Sequence, residues 1–254
     1  MKQLIKGFFM SLSMFSIIPL PKIWDRAAFS WVAPSLPVVG FIIGLLWYGS
    51  VQVLIYLNIP LMLQATLIFL FPAMISGFIH VDGYMDTSDA IYSRVEMLKK
   101  QEILKDPHVG AFAAIMLSVY LLVGFAAVYS VLEAVISINL VVFIFIPVLS
   151  RNLAGIVLLV AKPMKSTGFG AIFRENTKWF HILILFCILV LSTLIGWLVG
   201  GVTAVYAFAA LIIGGFVVSL CVLKQMGGIS GDLCGFIITV SELFALLALA
   251  VTMS

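Results

Sequence analysis

Runs of about twenty apolar residues return seven times along this chain, and little else it could fold into survives that fact. They cover Leu36–Leu57, Leu61–His80, Ala111–Leu132, Val135–Val160, Phe180–Leu198, Val202–Leu223 and Leu233–Thr252. A bilayer core of about 30 Å takes roughly twenty helical residues per crossing. With 63% hydrophobic and only 10% charged residues in 254, no water-soluble fold hides so much apolar surface. The expected fold class is all-α: a single-domain polytopic membrane helix bundle of about seven transmembrane helices. Met1–Ile18 lacks a small-residue cleavage site and is expected to stay as an N-terminal amphipathic or re-entrant segment.

The connections sort by charge. Asn58–Pro60, Glu133–Ala134 and Gly200–Gly201 are short and carry no Lys or Arg, so they are expected as tight turns on one face. Met1–Ser35, Val81–Gly110 and Ala161–Trp179 hold most of the basic residues on the other. Positive charge favours the cytoplasmic side, which predicts a multi-pass protein of the cell membrane with its long loops in the cytoplasm. Cys187, Cys221 and Cys234 lack metal-site spacing and are expected to pack in the core. A net charge of +3 gives no reason to expect a nucleic-acid partner.

Chemistry concentrates in His80-Val81-Asp82-Gly83-Tyr84-Met85-Asp86-Thr87-Ser88-Asp89, with three carboxylates in eight residues at the end of a crossing. In a helix, Asp82, Asp86 and Asp89 stand at i, i+4 and i+7 and share one face. Like charges so placed call for a cation. Mg²⁺ suits them, being a hard ion that takes oxygen ligands and keeps positions open for substrate phosphates. The plainer alternative is a solvated loop. Asp106, in Lys105-Asp106-Pro107-His108, either completes a four-carboxylate site or caps the next helix. In Gly227-Gly228-Ile229-Ser230-Gly231-Asp232, glycines at a helix start admit an anion to backbone amides. Glu242 follows ten residues later, inside the bilayer. Arg151, within the fourth run, needs a partner: a substrate phosphate, an aspartate, or the interface reached by snorkelling. His80 is a candidate substrate contact or proton carrier.

These segments resemble the cobalamin synthase family, also called adenosylcobinamide-GDP ribazoletransferase. His80-x-Asp82-Gly83-x-x-Asp86-Thr87-x-Asp89 is similar to its H-x-D-G-x-x-D-T-x-D signature. Glu102-Ile103-Leu104-Lys105-Asp106, with Val109-Gly110-Ala111-Phe112, resembles a second stretch. Gly227-Gly228-x-x-Gly231-Asp232-x-x-Gly235 with Glu242 resembles a third, and Ser150-Arg151 and Gly168-x-Gly170 fall in place between them. Ala90 stands where a glycine is usual, and no arginine precedes Pro19. The resemblance implies that adenosylcobinamide-GDP and α-ribazole, or α-ribazole 5′-phosphate, are joined into adenosylcobalamin or its 5′-phosphate, with release of GMP. It implies Asp82, Asp86, Asp89 and Asp106 as catalytic and Mg²⁺-binding residues, with Asp232 as a further metal ligand. Substrate contacts are expected at His80, Gly83, Lys105, Arg151, Gly228, Gly231, Asp232 and Glu242. A homo-oligomer and association with other corrinoid-pathway enzymes are compatible with it. Rival readings are a CDP-alcohol phosphotransferase or prenyltransferase, whose aspartate motifs are spaced differently, and a cation transporter, which would place its carboxylates at mid-membrane.

Overall fold

The computed structural model describes residues 2–21, 23–134, 140–164, 169–175 and 177–253. Its elements run α1 Lys2–Phe15, a 3₁₀ turn Arg26–Trp31, α2 Val32–Tyr56, α3 Leu61–Ile75, α4 Ile79–Tyr92 and α5 Met97–Ile103. Then follow α6 Ala111–Glu133, α7 Val142–Val160, α8 Phe169–Glu175, α9 Trp179–Met226 and α10 Gly231–Met253. Among the described residues there is no strand, only an isolated bridge between Pro163 and Ile229. The chain is the all-α multi-pass bundle its apolar runs predict.

Helix α7 is the hub. Nearly every side chain from Val142 to Leu159 is buried, and α2, α9 and α10 pack around it. Gly40 and Gly44 of α2 lie against the α7 backbone at Pro147 and Ile144, where a methyl group would meet carbonyl oxygen. Small residues one turn apart let two crossings approach this closely when lipid supplies no hydrophobic drive between them. The outer helices invert the soluble pattern: Leu183, Phe186, Val190 and Leu194 of α9 are exposed, as a lipid-facing surface requires. Cys187 and Cys221 are exposed there too, so they are not the core residues expected.

Helix α9 has 48 residues, about 72 Å if straight, yet it turns back on itself. Residues twelve apart stand about 18 Å apart along a straight helix, whereas a methyl group on Gly196 would lie 2.5 Å from the Phe208 ring. The turn sits at Gly201, with φ 73° and ψ −160°, a backbone region open essentially to glycine alone. Two of the expected crossings are therefore the arms of this hairpin. With α2, the α3–α4 pair, α6, α7 and α10 they make seven. Helix α1, at 14 residues, is too short to cross; it packs on α2 and the 3₁₀ turn, where Lys6 Nζ donates to Asp25 at 2.6 Å.

Three boundaries differ from expectation. The second crossing does not run through to His80. It breaks at Ser76–Phe78 and bends by 91° into α4, with Gly77 at φ 63° and Phe78 at φ 60°. The span from Val81, expected as loop, opens as helix and packs against α6 and α10. The fourth crossing starts at Val142, and residues 135–139, where it was expected to begin, lie outside the described residues; so do Lys165 and Gly168.

Candidate active site

The ends of α4, α5, α6, α7, α9 and α10 meet at one face. The Gly227–Ser230 turn is zipped to the chain leaving α7: Ile229 N–H donates to the Lys162 carbonyl at 2.8 Å, and Met164 N–H returns to the Ile229 carbonyl at 3.0 Å. Gly228 lies flat on this pair, where a methyl group would stand 2.7 Å from the Lys162 oxygen and the Met164 nitrogen. From α5, Lys100 Nζ donates to Gln225 at 2.6 Å and Gln101 to the Met226 carbonyl at 2.7 Å. Gly231, the first residue of α10, has open space where a side chain would project.

Helix α4 carries the carboxylates on the side it does not bury. His80, Gly83, Tyr84, Thr87 and Ser88 face inward. Tyr84 stacks on Phe236 of α10 at 5.4 Å and donates its hydroxyl to the Met116 carbonyl of α6 at 3.1 Å. Asp82 is exposed, Asp86 and Asp89 half-buried. Asp232 comes to them because Gly83 has no side chain: a methyl group there would lie 2.6 Å from the Asp232 carbonyl oxygen. The negative charges of Asp82, Asp232 and Asp89 all act on Asp86. Asp82, Asp86 and Asp89 have no ion pair among the described residues, so the cluster holds excess negative charge.

The Asp89 carboxylate points at the start of α6. It fills the space beside Gly110 that a methyl group would take, and accepts a long bond, 3.4 Å, from Ala113 N–H. Asp106 is bound by a near neighbour in sequence. It is exposed on the loop before α6, accepts from His108 N–H at 3.0 Å and meets His108 Nδ1 at 2.6 Å; these bonds hold its carboxyl below the usual range. Lys105 is exposed on the same loop. No three His, Cys, Asp or Glu side chains among the described residues close into a metal cage. Carboxylate oxygens are hard donors and nonetheless fit Mg²⁺, which binds through one or two carboxylates plus water and substrate phosphate.

Arg151 and Glu242 are found together, away from these carboxylates. Arg151 is 1% exposed and Glu242 13%, and Arg151 Nη1 donates to Glu242 Oε1 at 2.7 Å. Arg151 Nη2 donates to Ser76 Oγ at 3.1 Å, and Ser150 Oγ to Glu242 at 2.7 Å. A small cavity of about 20 Å³ beside them is lined in part by Ser76, His80, Tyr120 and Thr239. Thr239 Oγ1 donates to the His80 carbonyl at 3.1 Å. Sequence reading passed over Ser76 and Thr239; the only signal was the Ser-Gly pair at 76–77, a combination that often kinks helices.

Residues 7–250 match the family described as cobalamin-5-phosphate synthase. The chain is similar to an adenosylcobinamide-GDP ribazoletransferase of Clostridium perfringens (strain SM101 / Type A), 39% identical over 99% of this chain and 100% of that one. Proteins of the same name match from Clostridium botulinum (strain Alaska E43 / Type E3), 37% identical over 97% of both chains, and from Geobacillus thermodenitrificans (strain NG80-2), 34% identical over 95% of this chain and 94% of that one. No solved structure matches.

Proposed function

The chain belongs to the cobalamin-5-phosphate synthase family, and from that premise we propose that its carboxylate face joins adenosylcobinamide-GDP to α-ribazole or α-ribazole 5′-phosphate. The products are adenosylcobalamin, or its 5′-phosphate, and GMP. The observation that carries this reading is the packing of Gly83 on the Asp232 backbone, which brings Asp232 to the helix bearing Asp82, Asp86 and Asp89, three carboxylates with no ion pair among the described residues.

Asp82, Asp86, Asp89 and Asp232 would hold Mg²⁺. When bound, the ion offsets charge on the pyrophosphate oxygens and on departing GMP. The acceptor's 3′-hydroxyl attacks the phosphorus nearer the cobinamide, and one aspartate of the cluster takes its proton. The open start of α10 at Gly231, with Gly228 fixing the turn before it, offers backbone N–H groups to a phosphate. Lys105 and Asp106, exposed on the loop before α6, would supply a phosphate contact and a further metal ligand. The basic loops at this end favour a cytoplasmic orientation in the cell membrane.

The test is GMP release by purified protein in detergent, given adenosylcobinamide-GDP, either acceptor and Mg²⁺. The expected result is release that needs acceptor and metal, stops with chelator and is lost in Asp86→Asn. Folded protein that releases no GMP with either acceptor would overturn the proposal.

A further inference from the structure

One stripe of α10 faces α4 throughout. Asp232, Gly235, Thr239 and Glu242 stand at i, i+3, i+7 and i+10, within about 80° of one another around the axis. The first three meet the carboxylate helix directly, and the fourth reaches the break before it through Arg151. Asp232 lies on Gly83. Gly235 would put a methyl group 3.1 Å from the His80 backbone. Thr239 bonds the His80 carbonyl. Glu242 holds Arg151, which reaches the break at Ser76.

Ser76 caps the end of α3: its N–H points to the Met74 and Pro72 carbonyls. A guanidinium there also meets the negative end of the α3 dipole. Three elements are thus tied at one point: α7 through Arg151, α10 through Glu242 and the α3–α4 break through Ser76. Glu242 is about 15 Å along the helix from Asp232, so the pair is not within reach of a metal held at the carboxylate end.

We infer that Arg151 and Glu242 are positioning residues for the carboxylate site. They clamp the α3–α4 break and thereby set the depth and register of α4 along α10, rather than contacting substrate. The inference rests on the proposed metal site and assigns the ion pair a role that stability alone does not require. Replacing both members of a buried ion pair by apolar residues commonly leaves a protein as stable as before, because no unpaired charge remains.

The experiment titrates Mn²⁺ against wild type, Arg151→Met/Glu242→Leu, Ser76→Ala and Asp86→Asn in detergent, following free Mn²⁺ by electron paramagnetic resonance and melting by tryptophan fluorescence. The expected result is a double variant that melts near wild type, binds Mn²⁺ about 10- to 100-fold more weakly, as for lost metal-site support, and loses kcat more than it raises KM. Ser76→Ala should show a smaller loss of the same kind. A folded double variant with wild-type Mn²⁺ affinity and kcat overturns the inference. If the double variant does not fold, Ser76→Ala decides: unchanged affinity overturns it, weakened affinity upholds it. Wild type that binds no Mn²⁺, or binding unchanged in Asp86→Asn, defeats the metal reading, and the inference with it; binding weakened in Asp86→Asn but equal in wild type, the double variant and Ser76→Ala defeats the inference alone.

Discussion

Replacing Gly83 with alanine puts a methyl carbon 2.6 Å from the Asp232 carbonyl oxygen and 2.9 Å from its Cα. Both are backbone atoms and cannot swing aside. Ordinary contact begins near 3.4 Å, so α4 and α10 must part by about 0.8 Å. Overpacking of this kind costs about 1–3 kcal/mol, while alanine gains about 1 kcal/mol over glycine inside a helix. Net destabilisation is therefore about 0–2 kcal/mol, a shift of a few degrees in melting temperature. The catalytic cost is larger: displacement of reacting groups by about 1 Å lowers rates about 100-fold, and here three carboxylates move together away from the fourth. GMP release and melting are measured for wild type, Gly83→Ala and Gly49→Ala, a helical glycine with nothing within 4 Å of its added methyl. Gly49→Ala should match wild type. Gly83→Ala folded and within threefold of the wild-type rate would refute the claim that this contact sets the site.

In Gly110→Ala the new methyl lands on the Asp89 carboxylate and turns it from the start of α6; Mn²⁺ affinity should fall about tenfold with helicity by circular dichroism unchanged, and unaltered affinity would show that Asp89's placement does not matter. The Lys6 ammonium and Ala27 N–H hold the Asp25 carboxyl below its usual range. A depressed folded value gives stability that is present above the unfolded value of about 3.9 and is lost as pH falls through the folded one. Hydrogen exchange in residues 2–15 should thus be steady from pH 5 to 8 and loosen below about pH 4, once corrected for intrinsic rates; loosening as pH rises instead would contradict this contact.

Crossings were legible because each apolar run is long enough to span and ends at turn residues. The break inside Leu61–His80 was not, since apolar side chains run through it and only Ser76-Gly77 marks it. The shared face of Asp82, Asp86 and Asp89 follows from helical spacing alone, but the arrival of Asp232 depends on a contact between glycine and backbone 149 residues apart. Asp106 shows how a local bond hides from spacing arguments: His108, two residues on, takes its carboxylate. For Arg151 the sequence offered phosphate, aspartate or interface. The structure pairs it with Glu242, because a guanidinium in a low-dielectric interior is stable only beside a carboxylate at its own depth.

The break at Ser76–Phe78 also bears on the order in which the protein can be assembled. Helix α3 alone, 15 residues long, spans only about 22 Å, and α4 is too rich in carboxylates to enter lipid unaided. Its neighbour α6 follows it soon in translation, but α10 begins about 140 residues after α4 ends. At about 5–20 residues per second, the carboxylate helix waits on the order of ten seconds before the partner that fixes its register exists. During synthesis six crossings are thus threaded before the site is built, and the last helix of the bundle sets the first motif in place.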